Sequence, residues 1–441
     1  MTDKRNVGIA LVGCGTVGAQ VARLLVQDAD LLATRSGLAL SLRHIIDLDF
    51  TAAKAIGADD AICHGDLDKA IADEGVDLVI ELVGGTTFAK TVVEKALAGG
   101  KDVITANKAL LAHHGTELFA LATANGRCLG FGASCVGGVP VIGSLLNGLL
   151  ANDIDALFGI VNGTCNFILS EMSANGTAYA DVLAQAQADG LAEADPTLDV
   201  TGMDSAHKLT ILGSLAFGKN ISLDDIHCQG VDTLDVRDIT FGQELGFTTK
   251  LLAIAMRQGD AISLRVHPAF IRNDHPLSSV SGPFNAACIY GHAVGHTMYY
   301  GRGAGGSATA SAVVADIIDV ALGNAGRRFG SLGVWPDRTQ KANVLAMDDI
   351  RGKYYLRFTC KDTPGALGKV ADTLGKCNIS IAQMIQHNAA DATGCTPVVM
   401  TSHEAIEGDV QKALATIDAL DVIAAPTVMI RIVDEHEETI G

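Results

Sequence analysis

Four carboxylates and one lysine lie within sixteen residues of this chain, from Glu193 to Lys208. Pro196 and Gly202 interrupt the first part of this segment, whereas the apolar spacing from Asp204 onward predicts a helix. Asp204 and Lys208 are four residues apart, so they share one face of that helix. An acidic loop leading into such a helix could hold a polar substrate beside a lysine that gains and loses a proton. Taken alone, the pair is better interpreted as an exposed ion pair, which contributes little to stability.

The composition limits what kind of protein this is. The chain has 441 residues, a length typical of two or three domains. Its formal net charge of −18 argues against binding to nucleic acid or to an anionic membrane surface, because both need basic patches. The ten cysteines form no Cys-x-x-Cys pair, and the N-terminus lacks a signal-peptide pattern. We therefore expect a cytoplasmic protein with no nucleic-acid or membrane partner.

The order of the predicted elements indicates an α/β chain of several parts. Short apolar strands alternate with helices over 1–135, which predicts a dinucleotide-binding domain with a Rossmann-type, doubly wound parallel sheet. Longer helices and strands over 136–306 predict an α+β domain. A helix within about 307–330 is expected to pack back on the first domain. A linker over 331–351 precedes a βαββαβ order over 352–441, which is typical of a ferredoxin-like domain.

A glycine-rich loop follows the first predicted strand and opens the first predicted helix, with the sequence Gly13-Cys14-Gly15-Thr16-Val17-Gly18. In this context Gly13 permits the turn, Gly15 lets a pyrophosphate approach the backbone, and Gly18 lets helix and strand pack closely. The helix N-terminus, with Thr16 and Val17, then faces the phosphates. The loop therefore predicts a dinucleotide site.

The end of the second predicted strand bears on the type of dinucleotide. Asp47 lies there, 29 residues after Gly18 rather than the usual spacing of about 20. A carboxylate at this point would bind the ribose hydroxyls of NAD and repel the 2′-phosphate of NADP. No Arg or Lys adjoins Asp47, and the next one along the chain is Lys54. NAD is therefore favoured over NADP. Asp49 is an alternative ribose ligand, and a surface carboxylate is the simpler interpretation of Asp47.

Four segments follow one another along the chain and together form a specific pattern. They are the glycine loop, Ile104-Thr105-Ala106-Asn107-Lys108, Asn162-Gly163-Thr164-Cys165-Asn166, and the acidic segment from Glu193 to Lys208. In this order and at these separations the chain closely resembles homoserine dehydrogenases over essentially its whole length. Its last part resembles the ACT domain that many such enzymes carry, with Asp362-Thr363-Pro364-Gly365 and Asn378-Ile379-Ser380. The family interconverts L-homoserine and L-aspartate 4-semialdehyde with NAD(P), toward threonine and methionine. The resemblance implies this activity here, with 136–306 as the catalytic and dimerisation domain.

The resemblance also implies roles for individual residues. Lys208 matches the acid/base, and Lys108 matches a second active-site lysine. Glu193 and Asp204 match substrate-binding carboxylates, and Asp199 fits a supporting acidic position. Gly163 and Thr164 are further expected substrate contacts. Beyond the glycine loop, the expected cofactor contacts are Asp47, Gly84, Thr105, Lys108, Gly190 and Gly305.

Two lysines suit the chemistry of an alcohol dehydrogenation. An alcohol holds its proton about as tightly as water, whose pKa is about 15.7. Hydride cannot leave the carbon unless that proton is removed or the alkoxide is stabilised. A lysine whose pKa is lowered by burial or by a second cation can act near neutral pH. Lys108 could supply that second charge, and Asp204 could bind the substrate ammonium or orient Lys208. Which lysine moves the proton stays open.

One position departs from the family pattern. The family usually has a Glu that binds a monovalent cation in the segment matching 131–140, together with backbone carbonyls. This chain has Gly132 at that position, although the carbonyls of Cys135, Gly137 and Val139 could remain. We therefore expect weak or absent sodium binding.

The ACT-like segment resembles a module that binds a small amino acid, usually threonine, at a dimer interface. The expected effector residues are Asp362, Pro364, Gly365, Asn378 and Ile379. A dimerisation module without a ligand is the alternative, and in either case we expect a homodimer or homotetramer. Two other functions stay open, namely a dehydrogenase of another small amino-acid aldehyde or alcohol, and a non-catalytic amino-acid sensor on the same scaffold.

Overall fold

The first part of the chain folds around a six-stranded parallel sheet. The computed structural model describes residues 4–387 and 394–437. In chain order the first elements are β1 (Arg5–Val12), α1 (Thr16–Gln27), α2 (Ala29–Ser36), β2 (Leu38–Ile46), α3 (Thr51–Ala55), β3 (Cys63–His64), α4 (Leu67–Ala72), β4 (Leu78–Glu81), α5 (Phe88–Ala98), β5 (Asp102–Thr105), α6 (Lys108–Ala124) and β6 (Leu129–Gly130). The strand order is β3-β2-β1-β4-β5-β6.

This sheet has the predicted Rossmann-type topology. Every strand pair in it is parallel, and β1 and β4 are buried along nearly their whole length. Such continuously apolar strands are expected where helices cover both faces of a parallel sheet. The strand order reverses between β1 and β4, and ligands of such sheets bind at the carboxyl ends of the strands at this point. The glycine loop after β1 and the loop after β4 therefore flank the expected cofactor cleft.

The middle of the chain builds a second, mixed sheet covered by helices. Its elements are α7 (Val141–Gly143), β7 (Ile154–Ile160), α8 (Gly163–Asn175), α9 (Tyr179–Ala188), α10 (Thr197–Val200), α11 (Met203–Phe217), β8 (His227–Cys228), α12 (Val236–Glu244), β9 (Phe247–Gln258), β10 (Ala261–Arg272), β11 (Phe284–Gly291), β12 (Gly295–Arg302), α13 (Gly306–Ala321) and α14 (Asn324–Ser331). Helix α11 is buried on nearly every side, including at Asp204 and Lys208. Its polar side chains must therefore find partners within the protein.

Helix α13 returns to the first sheet, as the sequence predicted. It packs against α1, and a Cβ on its first residue, Gly306, would lie 2.8 Å from the carbonyl oxygen of Thr16. Among the described residues no single helix is long and apolar enough to cross a membrane; α13 and α14 meet that criterion only as a pair bent by 77°.

The last part of the chain has the predicted βαββαβ order. Its elements are β13 (Arg351–Lys361), α15 (Ala366–Lys376), β14 (Ile381–Gln386), β15 (Cys395–Ser402), β16 (Ala405–Ile406), α16 (Glu407–Asp418) and β17 (Ile423–Val433), where the short β16 is an addition to the predicted order. The strands β17-β13-β15-β14 are antiparallel. They do not form an isolated sheet, because β17 pairs in parallel with β10. One hydrogen-bonded sheet thus continues from the middle part into the last part.

The segment predicted as a linker, 331–351, is packed onto the rest of the chain. The Trp335 ring is buried and stacks on Phe119 and Phe329. Further along, isolated bridges join Lys341 to Asn220 and Val344 to Ile262. This connection therefore adds to the core between the first two parts.

Candidate active site

Two helices and the end of one strand converge on the lysines. Asn107 caps α6, where its Oδ1 accepts a hydrogen bond from the backbone N–H of Leu110 at 3.0 Å, so Lys108 is the first helical residue. The Nδ2 of Asn107 donates to the carbonyl oxygen of Gly85 at 2.7 Å. The start of α6 is thereby tied to the loop after β4, on the cofactor side of the sheet.

Asp204 lies between the two lysines and contacts both. Its Oδ1 is 2.9 Å from the Nζ of Lys108, and its Oδ2 is 2.6 Å from the Nζ of Lys208. Lys208 also donates to the carbonyl oxygen of Val161 at 2.6 Å, directly after β7. The side chains of Asp204 and Lys208 are only 6% and 10% exposed, whereas that of Lys108 is 39% exposed. The pair at the start of α11 is therefore a buried network and not an exposed ion pair.

The electrostatics of this network depend on Asp204. Burial alone would raise the pKa of Asp204, but the charges of Lys208 and Lys108 outweigh burial and hold it below its usual value. The pKa of Lys108 is raised, chiefly by the charge of Asp204 and against the effect of burial. Lys108 therefore keeps its positive charge, and the carboxylate of Asp204 separates it from the second lysine. Burial, and then the charge of Asp204, raise the pKa of Asp199.

A buried asparagine, to which the sequence analysis gave no role, joins the two aspartates. The Nδ2 of Asn162 donates to Asp199 at 2.7 Å and to Asp204 at 2.8 Å. Its Oδ1 accepts the backbone N–H of Cys165 at 2.8 Å and so caps α8. An asparagine directly after a predicted strand, as at Asn162-Gly163, indicates a helix cap. It does not indicate the contacts with Asp199 and Asp204, which lie far along the chain.

The other predicted substrate residues lie around the start of α8. A Cβ on Gly163 would lie 2.9 Å from the carbonyl oxygen of Pro283, which explains the glycine there. The hydroxyl of Thr164 donates to the carbonyl oxygen of Leu191 at 2.9 Å. Glu193 lies two residues after Leu191 and is exposed. Within the described chain, none of the hydrogen bonds or ion pairs of Lys108, Asp204 and Lys208 involves its carboxylate. The structure therefore brings Asp204, Lys108 and Lys208 together and leaves Glu193 apart.

The glycine loop has the geometry that a dinucleotide requires. Gly13 has a φ of +94°, and a Cβ there would lie 2.7 Å from the backbone of Leu82. A Cβ on Gly18 would lie 2.0 Å from the carbonyl oxygen of Gly13, whereas one on Gly15 would meet nothing within 4 Å. Helix α1 has no side-chain cap and no acidic residue in its first turn. Open space above Gly15 and uncapped N–H groups fit a bound pyrophosphate.

Asp47 supports the glycine loop directly. Its Oδ2 accepts the backbone N–H of Cys14 at 2.5 Å, and its Oδ1 accepts the N–H groups of Leu48 and Asp49. The carboxylate is thus fixed at the end of β2 against the loop that would hold the pyrophosphate. Asp49 accepts from Thr51 instead and faces away from this contact.

A buried glutamate missed by the sequence analysis shapes the opposite wall. Glu81 ends β4, and its Oε2 accepts the hydroxyl of Thr105 at 2.6 Å. Its Oε1 accepts the N–H groups of Val83 and Gly84 at 3.0 and 3.3 Å. The predicted cofactor contacts Thr105 and Gly84 are therefore held by one carboxylate, whose pKa burial raises.

The two remaining predicted cofactor glycines both have left-handed backbone. Gly190 has a φ of +71° and follows α9, and Gly305 has a φ of +104° and caps α13 beside α1. A Cβ at either would meet nothing within 4 Å, so their surroundings are open.

A carboxylate that the sequence did not indicate lies beside the segment 131–140, where weak or absent sodium binding was expected. Asp316 on α13 lies beside Gly132, its buried Oδ2 has no hydrogen-bond partner among the described residues, and burial raises its pKa to about 7. A Cβ on Gly132 would lie 2.7 Å from its Oδ1. Of the three carbonyls considered, that of Val139 accepts the N–H of Val141 at 2.8 Å. Over 4–387 and 394–437, no group of three or more His, Cys, Asp and Glu is arranged to hold a metal.

The expected effector residues occupy the two ends of α15. Asp362, Pro364 and Gly365 lie exposed before the helix, where Gly365 has a φ of +89°. Asn378 follows the helix in a left-handed conformation and is exposed. Ile379 is only 3% exposed and belongs to the core of the last part, so its side chain is not available to a ligand in this conformation.

Known proteins resemble this chain over its whole length. The family model described as homoserine dehydrogenase matches residues 140–318, and that described as homoserine dehydrogenase, NAD binding domain, matches residues 13–131. The homoserine dehydrogenase of Neisseria gonorrhoeae is 43% identical over 98% of this chain and 100% of its own length. The chain belongs to the homoserine dehydrogenase family. It is therefore an oxidoreductase that acts on a small molecule and uses a nicotinamide cofactor.

Solved homoserine dehydrogenases agree with this assignment. The crystal structure of the enzyme from Thiobacillus denitrificans is 38% identical, covers 98% of this chain and 99% of its own, and has a TM-score of 0.91, which confirms the α/β fold. A hyperthermophilic archaeal homoserine dehydrogenase in complex with NADPH covers 72% of this chain and 98% of its own, at 26% identity and a TM-score of 0.59.

Proposed function

We propose that Lys108, Asp204 and Lys208 form the proton-transfer centre for the interconversion of L-homoserine and L-aspartate 4-semialdehyde. The observation that supports this most strongly is the position of Asp204, which bridges two lysine ammonium groups in a buried network. The two ammonium groups lie on either side of this one carboxylate. Such a centre favours the negative charge that develops on the substrate oxygen during the reaction.

The two lysines have different parts in this proposal. Bound NAD(P) supplies the chemistry of hydride donation and acceptance. The raised pKa of Lys108 keeps its exposed ammonium charged, so Lys108 stabilises the alkoxide. Lys208 exchanges a proton with the substrate oxygen, donating it during reduction and accepting it during oxidation. Asp204 stays ionised and holds both Nζ atoms in place, while Asp199, Gly163 and Thr164 line the substrate side.

An assay of aspartate semialdehyde with NADH and with NADPH tests this function. We expect wild type to oxidise at least one cofactor and Lys208→Ala to lose about 10²–10⁴-fold in turnover, the range for loss of a general acid. Lys412→Ala, which alters an exposed lysine on α16, is the matched control and should keep full turnover. If wild type oxidises neither cofactor, the proposed activity is wrong. Full turnover in Lys208→Ala would remove the role of that lysine alone.

We also propose that NAD is the preferred cofactor. The support is Asp47, whose carboxylate lies at the end of β2 beside the glycine loop and would repel a 2′-phosphate. Lys54, the next cation along the chain, lies 3.6 Å from Asp60. We expect kcat/KM to be higher for NADH than for NADPH and the ratio to shrink in Asp47→Asn, which keeps an acceptor for Cys14. A higher value for NADPH in wild type would contradict this preference.

Sodium independence is a further proposal. Gly132 offers no carboxylate, and burial raises the pKa of the neighbouring Asp316 to about 7, which disfavours its anionic form. Equal activity in sodium-free and sodium-containing buffer is expected. Strict dependence on sodium would overturn this proposal.

For the C-terminal part, 352–441, we propose an ACT domain that binds threonine and lowers activity. Its support is the βαββαβ order and the exposed positions of Asp362, Gly365 and Asn378 around α15. A threonine titration that left both rate and melting temperature unchanged would favour the dimerisation module instead. We further expect a homodimer or homotetramer, because β14 is an exposed edge strand with Met384 49% exposed. Sedimentation analysis would measure this state. A cytoplasmic location is a separate proposal, based on the absence of a signal-peptide pattern.

A further inference from the structure

We infer that Asn162 is a positioning residue for the reaction, which fixes the carboxylate of Asp204 between the two lysines. This inference rests on the proposed function of Lys108, Asp204 and Lys208. Asn162 touches neither lysine, so it would act through Asp204 and Asp199. It follows β7 and is 5% exposed.

Both the Nδ2 and the Oδ1 atom of the Asn162 amide form hydrogen bonds. Both N–H bonds of Nδ2 go to carboxylates, at 2.7 Å to Asp199 and 2.8 Å to Asp204. Its Oδ1 accepts the N–H of Cys165 at 2.8 Å. The contacts at the two ends require the same orientation of the amide, because only Nδ2 can donate and only Oδ1 can accept. The side chain is therefore locked by its partners, and it locks Asp204 in turn.

A neutral donor is the appropriate group between two buried carboxylates. Burial, and then the charge of Asp204, raise the pKa of Asp199, so the two carboxylates repel each other. A lysine or arginine at 162 would relieve this repulsion but would compete with Lys108 and Lys208 for Asp204. An aspartate would add a third negative charge. An amide gives each carboxylate one hydrogen bond and leaves the pairing of Asp204 with the lysines intact.

The position of Asn162 in the chain strengthens the case. The preceding residue, Val161, accepts the hydrogen bond from Lys208 at 2.6 Å. Two consecutive residues after β7 therefore hold both members of the Asp204–Lys208 pair, one through a carbonyl and one through an amide. The same asparagine caps the helix that begins with Gly163 and Thr164. One side chain thus couples the substrate side of the site to its proton-transfer side.

Two variants separate the helix-capping role of Asn162 from its hydrogen bonds to Asp199 and Asp204. Asn162→Asp and Asn162→Ser both keep an oxygen that can cap α8. Asn162→Asp loses both donors and adds a charge, whereas Asn162→Ser keeps at most one donor. We expect each to fold and to lose about 10- to 100-fold in kcat, as for other supporting partners of active-site groups.

The pH profile is the readout that a merely structural role would not change. Losing the donors raises the pKa of the carboxylates, so the acid limb of the kcat/KM profile should move to higher pH in both variants. The added charge of Asn162→Asp should also favour the charged form of Lys108 and move the alkaline limb the same way. The control is Asn166→Asp, at a buried asparagine of α8 whose Nδ2 donates to the backbone carbonyls of Val280, Gly282 and Phe284 and whose Oδ1 accepts from Lys250 at 3.4 Å. It loses these donors and gains a charge beside Lys250, so it should change the melting temperature and leave the pH profile unchanged.

The outcomes distinguish this inference from the proposed function. An unchanged profile in both Asn162 variants, with Lys208→Ala inactive, would overturn the positioning role and leave the proposed centre standing. Full turnover in Lys208→Ala would remove the centre itself. Shifted acid limbs in Asn162→Asp and Asn162→Ser, together with an unshifted Asn166→Asp, would establish Asn162 as the residue that positions Asp204.

Discussion

At the scale of single residues, the ionised state of Asp204 decides how the lysines behave. Its pKa is held below the usual value by Lys208 and Lys108 in spite of burial. The carboxylate therefore stabilises the native state at pH values above its unfolded pKa of about 3.9. This stabilisation is lost as the pH falls through the lower pKa of the folded state. The proposed proton-transfer network is thus also a part of the fold.

Asp204→Asn should weaken both activity and stability. The neutral amide leaves two ammonium groups without a counter-charge, and breaking a buried ion pair in this way costs about 3–5 kcal/mol. Because Asp204 is the main cause of the raised pKa of Lys108, that pKa should fall in the variant. Urea unfolding and the alkaline limb of the pH–rate profile measure the two effects. Asp274→Asn, which alters an exposed pair with Arg272, is the control and should change neither.

Some of these residues could be predicted from the sequence because their partners are near in the chain. The Asp204–Lys208 contact follows from helical spacing, and Asp195 accepts from the N–H and the hydroxyl of Thr197, only two residues away. The contacts of Asn162 with Asp199 and Asp204, of Glu81 with Thr105, and of Asp316 with Gly132 join distant segments. They depend on how elements pack, so spacing alone could not indicate them.

At the scale of elements, a chain of histidines attaches β3 to β2. The backbone N–H of Asp66 donates to Nδ1 of His64, so Nε2 of His64 carries its proton and donates to Nδ1 of His44 at 2.8 Å. His44 then donates from Nε2 to Asp73 at 2.9 Å. A proton added to Nδ1 of either ring would break this chain. Burial, followed by the charges of Lys69 and His44, lowers the pKa of His64.

The first domain should therefore lose stability in mild acid. A histidine whose folded pKa is depressed stabilises the native state above its unfolded pKa, about 6.5, and this contribution is lost as the pH falls below that value. His64→Gln cannot titrate, so its free energy of unfolding should depend less on pH between about 7 and 5 than that of wild type. His403→Gln, at an exposed position, should follow wild type. Equal pH dependence in all three proteins would argue against this chain of hydrogen bonds.

The sequence predicted some elements better than others for a physical reason. Strands β1, β2, β4 and β5 and helices α5 and α11 have strong local periodicity, and they lie where predicted to within a few residues, whereas the two-residue strands β3 and β6 were not predicted. Strands β9, β11 and β12 were missed. The β11–β12 hairpin is tied to its neighbours by pairing with β7, and β9 pairs with both β7 and β10. Such strands are defined by partners far along the chain.

At the scale of the whole molecule, a buried ion pair joins the middle and last parts. Asp238 on α12 is inaccessible to solvent and accepts the hydroxyl of Tyr355 at 2.8 Å. Arg357 donates to both of its oxygens, at 2.5 and 2.8 Å.

Asp238→Asn should lower the free energy of unfolding by about 3–5 kcal/mol, because the buried Arg357 keeps its charge. Arg237→Ala removes an exposed ion pair and should cost under about 1 kcal/mol. Similar losses in both variants would contradict this difference.

The pairing of β17 with β10 has a consequence for how regulation can be studied. Residues Ala269 to Ile271 of β10 are fully buried, and they are hydrogen-bonded to Arg431 to Val433 of the last strand. A protein truncated before β13 would expose this apolar strand with unpaired backbone groups, which is a template for aggregation. Truncation would therefore change solubility as well as any feedback. Point variants at the exposed ends of α15 would test the proposed effector binding while every strand keeps its neighbour.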